Sequence, residues 1–461
     1  MRIAIETHGC KLNQADSEAL ARQFRERGHE VVPVGEGVDI FILNTCTVTH
    51  TADAKARQAL RAASRRNPNA LIVATGCLAE RDPEGLRSLP GVSLVLGNAA
   101  KGTLASRVLA MVGGDDPPSC PPGGVLSPPL LGRTRAFLKI QEGCNQVCAF
   151  CIVPKVRGRE RSVPLQEVVR QAQMREAEGY QEVVLTGTQL GGYGYEWGGE
   201  GLAALLRALL AQTRLPRIRV SSLQPQEITP ALLDLWQDPR LCPHFHIPLQ
   251  SGSDAVLRRM RRRYTRRQYE EAVERIRRSL PWAAITADVI VGFPGETEAD
   301  FQETVEVCRQ VGFARVHLFP YSPRPGTSAF HFPDQVPPQV KRQRLAFLGQ
   351  VVEEQARAFR EASRGAIRPV LWEEGRPFLG QTLWSGLTDT YLRVCTLSPR
   401  NLANTITPAR LMAVQGEVVW ARVEGDISPE ASPGRTPGPD GGGPPGDRRP
   451  GGHIQSGVDH R

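Results

Sequence analysis

At 461 residues the chain has room for about three domains at roughly 150 residues each, and it can bury cores without disulfide staples. Hydrophobic residues make up 40% and charged residues 23%, which excludes general disorder. No apolar run approaches the roughly 18 residues of a membrane span, and the opening MRIAIETHGCKLNQADSE meets Glu6 and Lys11 too early for a secretory leader, so the expected location is the cytoplasm. Lys and Arg number 57 against 48 Asp and Glu, a net charge of +9, and only six of the 57 are Lys. The planar guanidinium suits phosphate and base stacking, so the balance leans toward a nucleic-acid partner, a solvated Arg-rich surface being the alternative.

The first hundred residues repeat strand, helix, strand. Ile3 to Glu6 open a strand, Asp16 to Arg27 carry Ala19, Leu20 and Phe24 on one helical face, and Asp39 to Leu43 and Leu71 to Ala74 are apolar strands. This predicts a small parallel α/β sheet over 1–111. Residues 112–132 are too rich in Pro and Gly to pack and form a linker. From 133 to 364, AFLKI, EVVLTG, RIRVSS, HFHIPLQ, ITADVIVGF and RVHLFPYS alternate with helices and end in a helix from about Gln339 to Ser363. Six βα units predict an open or partial barrel with its site at the carboxyl ends of the strands. Short alternating runs over 365–426 predict a small β barrel, and 427–461 a disordered tail.

Ten Cys in a chain of this kind point to metal or redox chemistry. QEGCNQVCAFC places Cys144, Cys148 and Cys151 in one loop after AFLKI. Three thiolates at this spacing can hold three irons of a cubane and leave the fourth open. Zinc is the alternative, but zinc normally takes a fourth Cys or His, and none follows nearby. Cys10, Cys46 and Cys77 each sit just beyond the carboxyl end of a predicted parallel strand, the edge where open α/β sheets bind ligands, so these three can also converge. Cys120 falls in the linker, and Cys242, Cys308 and Cys395 read as small core residues.

The Cys144 loop, with Phe150 before its last Cys, resembles the radical S-adenosylmethionine superfamily. With both triplets present, residues 1 to 425 resemble its methylthiotransferases through GCKLNQADSE, NTCTVTHTAD, IQEGCNQVCAFCIVPKVRGRERS, HIPLQSGSDAVLRRMRRRYT and DVIVGFPGETEADF. The resemblance implies an N-terminal cluster domain, a central barrel and a C-terminal RNA-binding TRAM module. It also implies two [4Fe–4S] clusters and S-adenosyl-L-methionine as cofactors, tRNA as partner, and separate electron and sulfur donors. Within the family, GCKLNQADSE, NTCTVT and RRMRRRYT are similar to the branch that adds a methylthio group to carbon 2 of N6-threonylcarbamoyladenosine beside the anticodon. Sister branches act on isopentenyladenosine in tRNA or on a ribosomal-protein aspartate, and a non-enzymatic RNA-binding metalloprotein is a further alternative. One cluster would make the 5′-deoxyadenosyl radical and the other would carry the sulfur. Lys155 stands where the family commonly has Tyr, and Thr390 where the TRAM module often has Asn.

Supporting residues follow from position. Gly187, Thr188, Ser222, Gln250 and Asp288 fall at strand ends, where the cofactor would lie beside Phe150, although turn chemistry explains such residues as well. Thr265 and Gln268 form a capping box for a helix whose Tyr269, Ala272, Val273, Ile276 and Leu280 face inward. Arg262, Arg263, Arg266 and Arg267 of the basic segment 258–278 should then face outward and, with Arg157, Arg159 and Arg161 beside the cluster loop, track RNA phosphates. A solvated face is the alternative.

Overall fold

The computed structural model describes residues 1–113, 134–198 and 201–425. The tail, Cys120 and all but the first two residues of the expected linker lie outside these ranges.

In the N-terminal lobe, β1 (Arg2–Thr7), β2 (Glu30–Val32), β3 (Ile40–Thr45), β4 (Leu71–Gly76) and β5 (Val92–Leu96) form a parallel sheet in the order β2-β1-β3-β4-β5. Its helices are α1 (Lys11–Glu26), α2 (His50–Arg66), α3 (Cys77–Arg81), α4 (Pro83–Arg87) and α5 (Leu104–Met111). The strands read as continuous apolar runs because both faces are covered. Ile40 and Ile42 pack with Leu20 and Phe24 of α1 and Val108 of α5, while Phe41 and Leu43 pack with Ala56 and Leu60 of α2. The crossovers leave opposite faces where β1 and β3 adjoin, and a crevice opens at the carboxyl ends of those strands.

The central lobe contains β6 (Arg135–Lys139), β7 (Gln141–Glu142), β8 (Arg161–Ser162), β9 (Glu182–Thr186), β10 (Arg217–Val220), β11 (His244–His246), β12 (Ala284–Val291) and β13 (Arg315–Pro320). β6, β9 and β10 pair in parallel, as do β11, β12 and β13, and parallel bridges Ile218 to Leu241 and Ser222 to His246 join the two groups into a six-stranded open array. Its helices are α6 (Val153–Arg157), α7 (Leu165–Ala177), α8 (Gly201–Gln212), α9 (Pro230–Leu233), α10 (Asp254–Arg259), α11 (Arg266–Ser279), α12 (Glu298–Val311) and α13 (Pro338–Ala362). Strand alternation sends Leu138, Val183, Leu185 and Ile218 outward into the core with Val168 and Leu205. Phe137 and Val184 point the other way, into the barrel, and meet Ala15 of α1. The N-terminal lobe thus covers part of the barrel's interior.

The C-terminal lobe is a closed five-stranded barrel of β14 (Ile367–Phe378), β15 (Gln381–Thr388), β16 (Arg393–Ser398), β17 (Ile406–Gln415) and β18 (Val418–Val423), around Val370, Trp372, Val394, Leu411 and Val419. Its β15 to β16 turn inserts Tyr391 (φ 69°) into the base of the central barrel. The ring stacks on His244 at 4.8 Å and lies 4.1 Å from the Arg219 guanidinium, and the hydroxyl accepts from Arg135 Nη1 at 2.6 Å. Burial alone would raise the adjacent Glu182 carboxyl, yet Arg219, Arg135 and Arg217 hold it down at about 2. Thr390, beside this turn, is buried with its Oγ1 2.9 Å from that of Thr388. Cys242 and Cys308 are core residues, whereas Cys395 is half-buried on the face of β16 opposite Val394. Among the described residues no helix is long and apolar enough to cross a membrane.

Candidate active site

Cys10 is the residue before α1, Cys46 directly follows β3, and Cys77 begins α3 directly after β4. The glycines before two of them have positive φ. A Cβ on Gly9 (φ 103°) would stand 2.7 Å from Cys46 Cβ, and one on Gly76 (φ 94°) 2.5 Å from Thr45 O. Only glycine permits these turns, and they bring the three thiols to one crevice. Burial pushes the Cys46 thiol up to about 12, with Cys10 and Cys77 adding to the rise and a Val48 N–H bond opposing it.

The second triplet follows β7. Gly143 (φ 76°) lets the loop close on the Arg159 carbonyl, which would lie 1.9 Å from any Cβ there. Gln146 N–H donates to Cys144 Sγ at 3.4 Å, Val153 N–H to Cys151, and Arg262 Nη1 to Cys148 Sγ at 3.3 Å. Burial raises Cys151 to about 12 and Cys144 to about 11, and each is raised further by Cys148. In Cys46, Cys144 and Cys151 the sulfur receives the amide two residues on. Such N–H to sulfur bonds stabilise a thiolate and suit iron–sulfur ligation. Three thiols backed by amide N–H groups are a donor set of the kind that holds a cubane.

α6 adjoins both triplets, through Cys77 on one side and the Val153 N–H bond to Cys151 on the other. Cys77 packs on Ile152 and Val156, the latter's carbonyl accepts from Asn98 Nδ2 at 2.7 Å, and that nitrogen lies 3.7 Å from Cys77 Sγ. Arg157, at the end of α6, donates to Asp16 at 3.1 Å, to Glu142 at 2.7 Å and to Asn13. One short segment after Cys151 thus contacts both sites.

The sequence matches an uncharacterized protein family, UPF0004, over residues 2–97 and the Radical SAM superfamily over 138–308. It is 36% identical to the threonylcarbamoyladenosine tRNA methylthiotransferase MtaB of Bacillus subtilis over 89% of this chain and 93% of that protein. Identity to the MtaB of Aquifex aeolicus is 40% over 82% and 94%, and to the tRNA-2-methylthio-N(6)-dimethylallyladenosine synthase of Acidothermus cellulolyticus 38% over 80% and 77%. The fold is similar to that of TsrM, a radical S-adenosylmethionine methyltransferase from Kitasatospora setae, with a TM-score of 0.52 at 15% identity, covering 71% of this chain and 76% of that one. This chain belongs to the radical S-adenosylmethionine methylthiotransferases. It is an enzyme that uses S-adenosylmethionine and a [4Fe–4S] cluster.

In this methylthiotransferase the remaining expected residues divide. Phe150 packs edge-on against Phe293 at 6.4 Å. Gly187 allows β9 to end against Gln141, whose Oε1 accepts from Thr188 N and Gln189 N at 2.9 Å each, and the buried Thr188 Oγ1 faces no protein partner. Ser222 bridges to His246. Gln250 (φ 61°) is tied through its backbone to Asp288 O and Ile290 N at 2.8 and 2.9 Å. Asp288 accepts from His246 Nε2 at 3.3 Å; burial would raise its carboxyl, but His246, His317 and Lys11 lower it.

Two of the arginines expected to face outward, Arg157 and Arg262, turn inward. Arg157 is buried in the carboxylate pairs described above, and Arg262 turns inward to Cys148 and lies over the Tyr264 ring at 4.9 Å. Neither faces solvent phosphates, because each reaches a partner on a distant segment, Asp16 for Arg157 and Cys148 for Arg262. Arg266 pairs with Glu270 at 2.8 Å and Glu306 at 3.1 Å, and Arg267 with Glu271 at 2.8 Å. Arg159, Arg263 and Arg267 are exposed, as expected. Sequence reasoning missed Lys11, His246, His317 and Glu227. The alternation His244, His246 within HFHIPLQ was a usable signal, since both lie on one face of a strand; Glu227 gave none.

Proposed function

We propose that this methylthiotransferase adds a methylthio group to carbon 2 of N6-threonylcarbamoyladenosine next to the tRNA anticodon. A second [4Fe–4S] cluster would be held by Cys10, Cys46 and Cys77, beside the radical cluster of Cys144, Cys148 and Cys151. The observation that supports this reading is the contact of the segment 152–157 with Cys77 as well as with Cys151, which would let sulfur delivery and hydrogen removal share one barrel mouth. The names of relatives at 36% and 40% identity support the substrate. We assign 1–111 to sulfur delivery, 133–364 to radical chemistry and 365–426 to RNA contact.

When bound, the clusters and S-adenosylmethionine supply the one-electron chemistry and the methylthio group. The chain's part is placement. The Cys thiols give up their protons on ligation, and the amides of Val48, Gln146 and Val153 with Arg262 hold the thiolate charge. Ala15 with Phe137 and Val184 fills the interior against water. The polar wall of His246 and Asp288 leaves donors and acceptors for a cofactor or base.

Replacing Cys10, Cys46 and Cys77 by Ala should leave about half the iron and sulfide and preserve S-adenosylmethionine cleavage, since each triplet holds one cubane. Retention of full iron would break this division. The substrate is tested by mass spectrometry of tRNA nucleosides from a deletion strain. Loss of the methylthio form with accumulation of N6-threonylcarbamoyladenosine supports the reading. Loss from isopentenyladenosine instead assigns the sister branch, and unchanged tRNA points to a protein side chain.

A further inference from the structure

At the barrel mouth, β8 and the turn beside it carry side chains that the radical chemistry leaves unused. β8 runs along the cluster loop, and Glu160 turns toward that loop, accepting from Asn145 N at 3.1 Å and Asn145 Nδ2 at 3.3 Å. Arg159, in the bend before β8, and Arg161, the first residue of β8, are both exposed. Arg161 reaches Glu142 only at 3.9 Å. On the next residue, Ser162 N and Oγ donate to Glu196 at 2.6 and 3.1 Å.

Glu196 is the middle of a single 3-10 turn, Tyr195–Trp197, entered and left through left-handed glycines, Gly194 (φ 77°) and Gly198 (φ 66°). Clamped by its centre, the turn holds out its two flanking aromatics: Tyr195 is 68% and Trp197 51% exposed. Trp197 packs edge-on against buried Tyr193 at 5.9 Å, and the Tyr193 hydroxyl donates to Val163 O at 2.8 Å. Gly194 N donates to Ser162 Oγ at 2.9 Å, so both ends of the clamp tie the turn to the segment whose Glu160 holds the cluster loop.

We propose that Tyr195 and Trp197 form a stacking platform for unpaired nucleobases of an RNA loop, with Arg159 and Arg161 holding the flanking phosphates. The proposal rests on RNA being the substrate. Every base offers a π-face to a fixed aromatic ring, and unpaired loops are where proteins grip RNA. The outward guanidinium groups select a polyanion over an apolar protein surface, which would find them costly to bury. Rigidity matters because a pre-ordered ring loses little entropy on stacking. A base held here would fix the loop while its neighbouring adenine enters the barrel.

The test uses the anaerobically reconstituted enzyme and an anticodon stem-loop RNA bearing N6-threonylcarbamoyladenosine, with 2-aminopurine elsewhere in the loop. The double variant Tyr195→Ala, Trp197→Ala should bind about tenfold or more weakly at an unchanged salt slope, because stacking is lost and phosphate contacts are kept. Wild type should quench 2-aminopurine and this variant should not, while Tyr195→Phe, Trp197→Phe should restore both. Arg159→Gln, Arg161→Gln should flatten the salt slope. Normal affinity and quenching in the Ala variant would overturn the platform and leave the tRNA assignment standing. Failure of wild type to bind the stem-loop would overturn both.

Discussion

Glu227 shows how one residue's placement becomes a pH dependence. Burial pushes its carboxyl from 4.5 up to about 7, although Gln224 N donates to it at 2.8 Å and Gln189 Nε2 also donates. Between those values the folded chain keeps a proton that the unfolded chain has lost, so this group favours folding fully below 4.5 and progressively less as pH rises to about 7. Glu227→Gln removes the titration. Urea unfolding of the apo protein at the two ends of that window should show wild type losing stability with rising pH relative to the variant. Parallel profiles would mean that the carboxyl titrates normally. Nothing in the local sequence PQEITP announces this, because the burial comes from the 190–194 loop. A Cβ on Gly191 would stand 1.8 Å from Glu227 Cδ.

At the scale of an element, α11 is the helix most completely written into its own residues. Thr265 Oγ1 accepts from Gln268 N at 3.3 Å and Gln268 Oε1 accepts from Thr265 N at 2.9 Å, so two end groups are satisfied reciprocally. Tyr269, Ala272, Val273 and Ile276 are buried. The arginine and glutamate pairs four residues apart, such as Arg267 with Glu271, contribute only about 0.3–0.5 kcal/mol each and weaken with salt. Thr265→Ala should therefore cost about 1 kcal/mol and Thr265→Ser much less. Amide exchange at residues 266–269 measures it, and unchanged protection in the Ala variant would show that α10 packing, not the cap, starts the helix.

Across the whole molecule, Asp16 joins the lobes. Its carboxylate, 1% exposed, accepts from Lys101 at 2.7 Å within its own lobe and from Lys139 at 2.8 Å and Arg157 at 3.1 Å across the boundary. Burial would raise it, but the three cations hold it well below the usual carboxylate range. Asp16→Asn should leave the cations uncompensated and cost about 3–5 kcal/mol. Hydrogen exchange should rise across α1 and α6 together. A rise confined to α1 would mean that Arg324, which donates to Asp53 at 2.6 Å and Thr47 at 2.7 Å, holds the lobes without this network.

The strands were legible in the sequence, because side-chain period is a local demand, whereas the positive φ of Gly9 and Gly76 was not read from it. The convergence of Cys10, Cys46 and Cys77 was legible too, since parallel strands must end on one edge. The direction of a long arginine was not. Arg157 meets Asp16 across 141 positions of sequence and Arg262 meets Cys148 across 114. Tyr391 fits beneath the barrel only because the C-terminal lobe docks there. A guanidinium carries its donors on a long, flexible stem, so its target is chosen by whatever charge the assembled lobes bring within reach, and only the tertiary structure supplies that.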